Sequence, residues 1–88
     1  MRKTYEKVLK KYLHDKIVDD RHKNDLIQEK MAELLIMDPR SYADIENGTN
    51  MCGTLTFTLY LLEFCDDPET MLAEIQQLFA AAKEEQDG

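Results

Sequence analysis

The sequence has few of the residues that interrupt regular structure, with three glycines and two prolines among 88 residues. It also lacks any apolar run close to the ~20 residues that a membrane span needs. Its charged start, MRKTYEKVLKK, has no apolar signal region, so we expect the chain to stay in the cytoplasm. No linker, internal repeat or low-complexity segment divides the sequence. Residues 1–88 are therefore expected to form one small helical domain around one modest core.

Cysteine and histidine are scarce as well. Cys52 and Cys65 lie thirteen residues apart, with neither a CxxC unit nor a nearby histidine, which favours two reduced thiols over a disulfide or a zinc site. His14 and His22 lie eight apart on what should be a solvated helix, so a metal site is not expected there either. The sequence shows no paired nucleophile and base and no phosphate-binding loop. We therefore expect neither an enzyme nor a cofactor, and no small-molecule ligand is evident.

Positive charge is concentrated at one end of an acidic chain. Residues 1–30 hold nine Lys/Arg and six Asp/Glu, giving +3, whereas residues 31–88 hold two and twelve, giving −10 and a total of −7. An anionic partner would therefore meet this protein through its N-terminal half. The alternative is that the charges only keep the domain soluble.

Apolar residues recur every three or four positions along most of the chain, which indicates helices. Asp-Pro pairs at 38–39 and 67–68 each offer an N-cap and a first-turn proline, and Asn47-Gly48 offers a helix end. The alternation TLTFTL would also suit a strand, but a lone strand has no partner in this chain. The prediction is all-α, with helices over about residues 3–22, 26 or 28 to 36, 39–47, 55–64 (capped by Thr54) and 68–84, followed by a frayed end.

The second and third predicted helices are joined by a very short turn around Met37, which fits a helix-turn-helix. A small residue is needed where the two helices cross, and Ala32 occupies that position. The inward positions fall to Met31, Leu35, Met37, Tyr42 and Ile45. The outer face of the third helix is left with Pro39, Arg40, Ala43, Asp44 and Asn47. A recognition helix presents this face to the major groove, although an ordinary helical bundle can share the pattern.

The segment LIQEKMAELLIMDPRSYADIENG, residues 26–48, resembles the phage-repressor/Cro-type (XRE-like) helix-turn-helix of lambda-repressor-like domains, without a gap. GTLTFTLYLLEFC resembles the fourth helix of that family, so the similarity covers about residues 15–65. The resemblance implies a five-helix lambda-repressor-like fold, here with an extended first helix and a long C-terminal helix. It also implies a sequence-specific DNA-binding transcriptional regulator that reads the major groove with helix 39–47. Because these contacts would be mainly uncharged, we expect two copies to act together, as a dimer on paired half-sites.

The resemblance further implies roles for individual residues. Gln28 and Asn47 would bind phosphates from helix ends, and Pro39, Arg40, Ala43 and Asp44 would face bases. Arg21 would pair with Glu46, while Ala32, Ile45 and Gly48 would be structural. Amide groups at helix ends suit phosphate, and a guanidinium suits the paired acceptors of guanine.

The chain departs from the family pattern at four positions. Ile36 stands where the turn usually has glycine, so the turn either avoids positive φ or strains a branched residue. Ile27 replaces the usual Ser or Thr cap, a role that Asp25 would take. Tyr42 fills an aliphatic position and needs a partner for its hydroxyl. Asp44 puts an acid on the reading face, where it repels phosphate and can only accept a hydrogen bond.

Three alternatives stay open on the surface. The outer face, with Asp38, Asp44 and Glu46 nearby, could instead bind another protein, so that the scaffold serves as an acidic interaction module. The apolar stripe of the last helix, which includes Met71, Leu72, Ile75, Leu78 and Phe79, either covers the monomer's own core or forms a homodimer. The lysines of the first helix (Lys3, Lys7, Lys10 and Lys11) are either a solvated face or an anion-binding one.

Overall fold

The computed structural model describes residues 2–87, with side chains from residue 2 to residue 85. It contains five helices: α1 (Arg2–Lys23), α2 (Gln28–Leu34), α3 (Pro39–Glu46), α4 (Thr54–Phe64) and α5 (Pro68–Asp87). Within those residues there is no strand, and the all-α prediction is confirmed. Two predicted ends are wrong. Helix α2 stops two residues before Ile36, and residues 84–87 continue α5 instead of fraying; Gly88 lies outside the described residues.

The core lies where α1 meets α3 and α5 and where α2 crosses α3. Ile17, Met31 and Tyr42 are completely shielded from solvent, and so is Ala32, the small residue predicted for the crossing. Leu35 and Ile45 are also buried, as predicted for inward positions. The remaining buried side chains are Leu13, Tyr60, Met71 and Ala82. Because both faces of the α2–α3 crossing are filled, α3 has a fixed orientation on the rest of the domain.

Three helices end in the same backbone motif. After α1, α2 and α3, the residues Asp25, Ile36 and Gly48 have φ values of 53°, 53° and 77°. Each is flanked by the paired 6→1 and 5→2 hydrogen bonds of a Schellman ending. Glycine takes this conformation without a steric cost, whereas a β-branched residue does not. Of the two possibilities left open for Ile36, the structure therefore has the strained one.

The Asp-Pro starts are confirmed, but two other predicted caps are wrong. Asp38 accepts hydrogen bonds from the Ser41 backbone N–H (3.2 Å) and hydroxyl (2.6 Å), and Asp67 caps α5 in the same way. Thr54 is the first residue of α4, whose N-cap is Gly53. Asp25 does not cap α2, because its left-handed backbone ends α1; Ile27 occupies the α2 cap position with no side-chain bond.

Two further features concern the cysteine thiols and the ability of the helices to span a membrane. Cys52 and Cys65 are both free and half-buried, and burial raises the pKa of the Cys52 thiol to about 11. None of the five helices described over residues 2–87 combines the length and the apolar character needed to cross a bilayer.

Candidate functional site

The carboxylate of Glu46, at the last turn of α3, joins three helices. Arg21 of α1 donates from Nε to Oε2 (2.6 Å) and from Nη2 to Oε1 (3.1 Å), which is the ion pair that the resemblance implies. Gln28, the first residue of α2, donates from Nε2 to Oε1 (2.9 Å). Tyr42 donates its hydroxyl to Oε2 and so finds the partner that a buried tyrosine needs. This set of residues, which we call the Glu46 cluster, fixes the end of α3 against α1 and α2.

The ion pair at the centre of the Glu46 cluster is shielded from water. The side chains of Arg21 and Glu46 are 15% and 7% exposed. Burial by itself would raise the pKa of Glu46, but hydrogen bonds from Arg21, Tyr42 and Gln28 outweigh it, and the pKa lies below its usual value. The pKa of Tyr42 is raised, first by burial and then by its hydrogen bond to Glu46. Glu46 is therefore held as a carboxylate whose charge points into the protein.

Sequence reasoning missed a second attachment between α1 and α3. The imidazole of His14 places Nε2 2.6 Å from the carbonyl oxygen of Glu46 and Nδ1 3.0 Å from Oδ1 of Asp15. A carbonyl oxygen can only accept, so Nε2 is the donor in the contact with Glu46. His14 precedes Arg21 by seven residues, or about two turns of helix. That spacing was the available signal, since it puts both side chains on the same face of α1.

The outer face of α3 carries the side chains assigned to base contact. Pro39 and Arg40 are exposed, and Ala43 and Asp44 are half-buried. Among the side chains of residues 2–85, Arg40 has no ion-pair partner and no hydrogen bond. Asn47 is exposed at the C-cap position of α3. This face therefore offers one free guanidinium, one carboxylate and one amide.

Gln28 makes an intramolecular contact in addition to the phosphate contact that the resemblance implies. Its amide donates to Glu46, so the remaining polar atoms of this exposed residue are the ones free to meet an external group. Gly48, with its φ of 77°, ends α3, and a Cβ built there would meet nothing within 4 Å. The requirement for glycine at position 48 therefore comes from the backbone conformation alone.

Comparison with known proteins adds nothing to this geometry: no family model matches the chain, and neither a curated protein nor a solved structure is significantly similar to it. The chemistry open to the site therefore follows from its own residues. The described residues offer α3 as a short helix with a buried inner face, fixed by the Glu46 cluster and His14. Its outer face bears the donor groups of Arg40.

Proposed function

We propose that this protein is a sequence-specific DNA-binding transcriptional regulator, built as a phage-repressor/Cro-type helix-turn-helix domain that reads the major groove with α3. The observation that carries the proposal is the seating of α3. Tyr42 and Ile45 are buried against α2 and α1, which leaves Pro39 and Arg40 exposed on the opposite face. A helix used for base readout needs this combination of a fixed inner face and a free outer face.

Arg40 is the residue with the chemistry for direct readout. Its five N–H donors match the O6 and N7 acceptors of guanine, and no carboxylate among the described side chains competes for them. Asn47, at the other end of α3, would donate its amide to a phosphate, which sets the register of the helix on the duplex. Gln28 would make a similar phosphate contact only with the atoms that Glu46 leaves free.

The acidity of the domain weighs less against this proposal than the net charge of −7 indicates. Of the three acids close to α3, Asp38 is used as the N-cap and Glu46 faces inward in its cluster. Asp38 keeps its charge at the exposed start of α3, and Asp44 is the one acid of the three with no partner among the described side chains. The same observation weakens the alternative, an acidic protein-interaction module, because two of the three acids in that surface are already engaged.

We also propose that two copies act together on half-sites about 34 Å apart, since one short helix with few charged contacts gives weak binding. The apolar stripe of α5 is only partly available for a homodimer. Met71 is buried, Ile75 is half-buried against the core of the same chain, and Phe79 is half-buried with its ring 4.9 Å from that of Tyr5. Leu72 and Leu78 remain, 57% and 36% exposed, and a dimer through the C-terminal helix would use these two.

A selection of random duplexes with the purified protein tests the function. We expect enrichment of one sequence, and we expect Arg40→Ala to abolish that enrichment because the guanine donors are lost. Lys83→Ala, which removes a cation from exposed α5, serves as the charge-matched control and should retain it. The mass of the protein in solution is measured at the concentration used for the selection. If the unaltered protein enriches no sequence at that concentration, the proposal is contradicted.

A further inference from the structure

Most basic side chains of this protein are already paired with a carboxylate. Six of the eleven Lys and Arg residues form ion pairs at nitrogen–oxygen distances of 2.6–3.5 Å. Among the side chains that the structure describes, the other five have no such partner: Lys3, Lys7, Lys10, Arg40 and Lys83. Three of the five belong to the first three turns of α1. In an acidic chain, a local excess of unpaired lysine is unexpected if charge serves solubility alone.

These three lysines point toward the same side of α1 as His14. The steps from Lys3 to Lys7, Lys10 and His14 are four, three and four residues, which places all four on one helical face. Since His14 bonds the last carbonyl of α3, the lysine face continues from the end of that helix. A surface cleft of about 310 Å³ joins the two elements, lined by Lys7, Lys10, Lys11, His14, Asn47 and Gly48.

We propose that this lysine face of α1 is a second DNA-backbone contact, which binds the phosphates flanking the groove occupied by α3. The proposal rests on the proposed function. It assigns a role to a part of α1 that lies outside the helix-turn-helix resemblance. Asn47, expected to contact a phosphate at the end of α3, lines the same cleft as Lys7 and Lys10.

The dimensions and charges of the face fit a nucleic-acid backbone. From Lys3 to Lys10, α1 rises about 10 Å, and one DNA strand carries a charge about every 3.4 Å along its axis. The length of the face therefore matches about three phosphate-to-phosphate steps of one strand, measured along the duplex axis. The acid beside it, Asp15, is already bonded to Lys11 (3.1 Å) and His14 (3.0 Å), and the hydrogen bonds from these two groups lower its pKa. Asp15 is thus engaged, whereas Glu85 of α5 lines a cleft with Lys3, Lys7 and Lys11 and has no ion pair among the described side chains.

The salt dependence of binding measures the contribution of this face. Lys7→Gln/Lys10→Gln removes two cations from it. Lys16→Gln/Lys83→Gln removes two from elsewhere, because Lys16 pairs with Glu74 (3.2 Å) and Lys83 lies on α5. Each protein is titrated with the enriched duplex between about 50 and 200 mM KCl. Since each phosphate contact contributes about 0.9 to the log–log slope, the first variant should lose about 2 from the slope and the second almost nothing. Melting curves confirm that both remain folded.

The outcomes separate this inference from the proposed function. If both double variants change the slope equally, or neither does, while Arg40→Ala still abolishes sequence preference, the lysine face is no contact and the proposed function stands. If the unaltered protein binds no duplex at any salt concentration, both fail. Tighter binding to a glutamate oligomer than to the duplex at the same salt would assign the face to an acidic protein and overturn the inference.

Discussion

Replacing Glu46 with alanine should destabilise the whole domain, because one carboxylate holds α1, α2 and α3 together. The change removes the acceptor of Arg21, Tyr42 and Gln28 at once. It also leaves the Arg21 guanidinium, 15% exposed in the present fold, without its partner. Breaking a buried ion pair from one side is costly because the remaining charge stays desolvated.

The expected loss follows from the exposure of the two groups. A hydrogen bond to a charged group contributes about 1.5–3 kcal/mol, and removing one member of a buried pair costs about 3–5 kcal/mol. Because Arg21 also donates to the carbonyl of Leu26 (3.0 Å) and keeps some solvent contact, we expect a loss of about 3 kcal/mol for Glu46→Ala, at the low end of the range. In a domain of this size that lowers the melting temperature by roughly 12–24 °C.

Glu74 provides a matched control, since it also accepts from a tyrosine and a cation. Tyr12 donates to it at 2.6 Å and Lys16 lies 3.2 Å away, but its side chain is 44% exposed. Glu74→Ala should therefore cost clearly less stability than Glu46→Ala. Urea denaturation followed by circular dichroism gives both free energies of unfolding. If Glu46→Ala loses no more stability than Glu74→Ala, the Glu46 cluster is not what holds α3 in place.

Two further predictions concern backbone strain and pH. Ile36→Gly should raise the free energy of unfolding by about 0.5–1 kcal/mol, because the left-handed conformation costs a branched residue about 1–2 kcal/mol and the greater freedom of glycine in the unfolded chain offsets part of the gain. Gly48→Ala should lower the free energy of unfolding by a similar amount. Thermal melts of the two variants measure both changes. The pKa of Glu46 in the fold lies below its usual value of 4.5. The ionised carboxylate therefore contributes its whole stabilisation above pH 4.5, and this contribution is lost as the pH falls through the pKa of the folded state. The stability gap between the unaltered protein and Glu46→Gln should therefore narrow in melts below about pH 4.5, and a constant gap would contradict the shift.

The five helices could be predicted because their signals are local. The side chains of Asp38 and Asp67 cap their helices by accepting from the backbone N–H three residues later, and such caps are visible in the sequence. The end of α2 was predicted two residues too late, since its left-handed position is taken by Ile36 where glycine is the usual signal. Thr54 was misassigned because Gly53 takes the cap position without a side-chain bond.

The candidate site was only half predictable. The Arg21–Glu46 pair was expected from the resemblance, and Tyr42 was known to need a partner, but periodicity alone cannot place side chains from three helices around one carboxylate. His14 was read as part of a solvated helix, because its acceptor, the carbonyl of Glu46, lies thirty-two residues away. Contacts between distant residues depend on how the helices cross. The crossing is set by the packing of all core residues together, so no local sequence pattern reveals it.

Asp44 provides the most direct test of whether α3 faces DNA. It lies one turn after Arg40 on the outer face, half-buried and with no ion-pair partner among the described side chains. Asp44→Asn removes its repulsion of phosphate, and Asp44→Arg adds a cation as well. Affinity for random duplexes should therefore increase from the unaltered protein to Asp44→Asn to Asp44→Arg, with the last variant steepening the log–log salt slope by about 1.

The same substitutions also report on specificity. If Asp44 accepts from a cytosine amino group, both variants lose about 1–3 kcal/mol of discrimination at one base pair even as general affinity rises. Unchanged affinity in both variants would mean that the outer face of α3 does not approach the duplex, however well the inner face is packed. In that case DNA binding by another surface would remain measurable through Lys7→Gln/Lys10→Gln. Only a loss of slope in that double variant would then make the lysine face the main contact, with α2 and α3 as its scaffold.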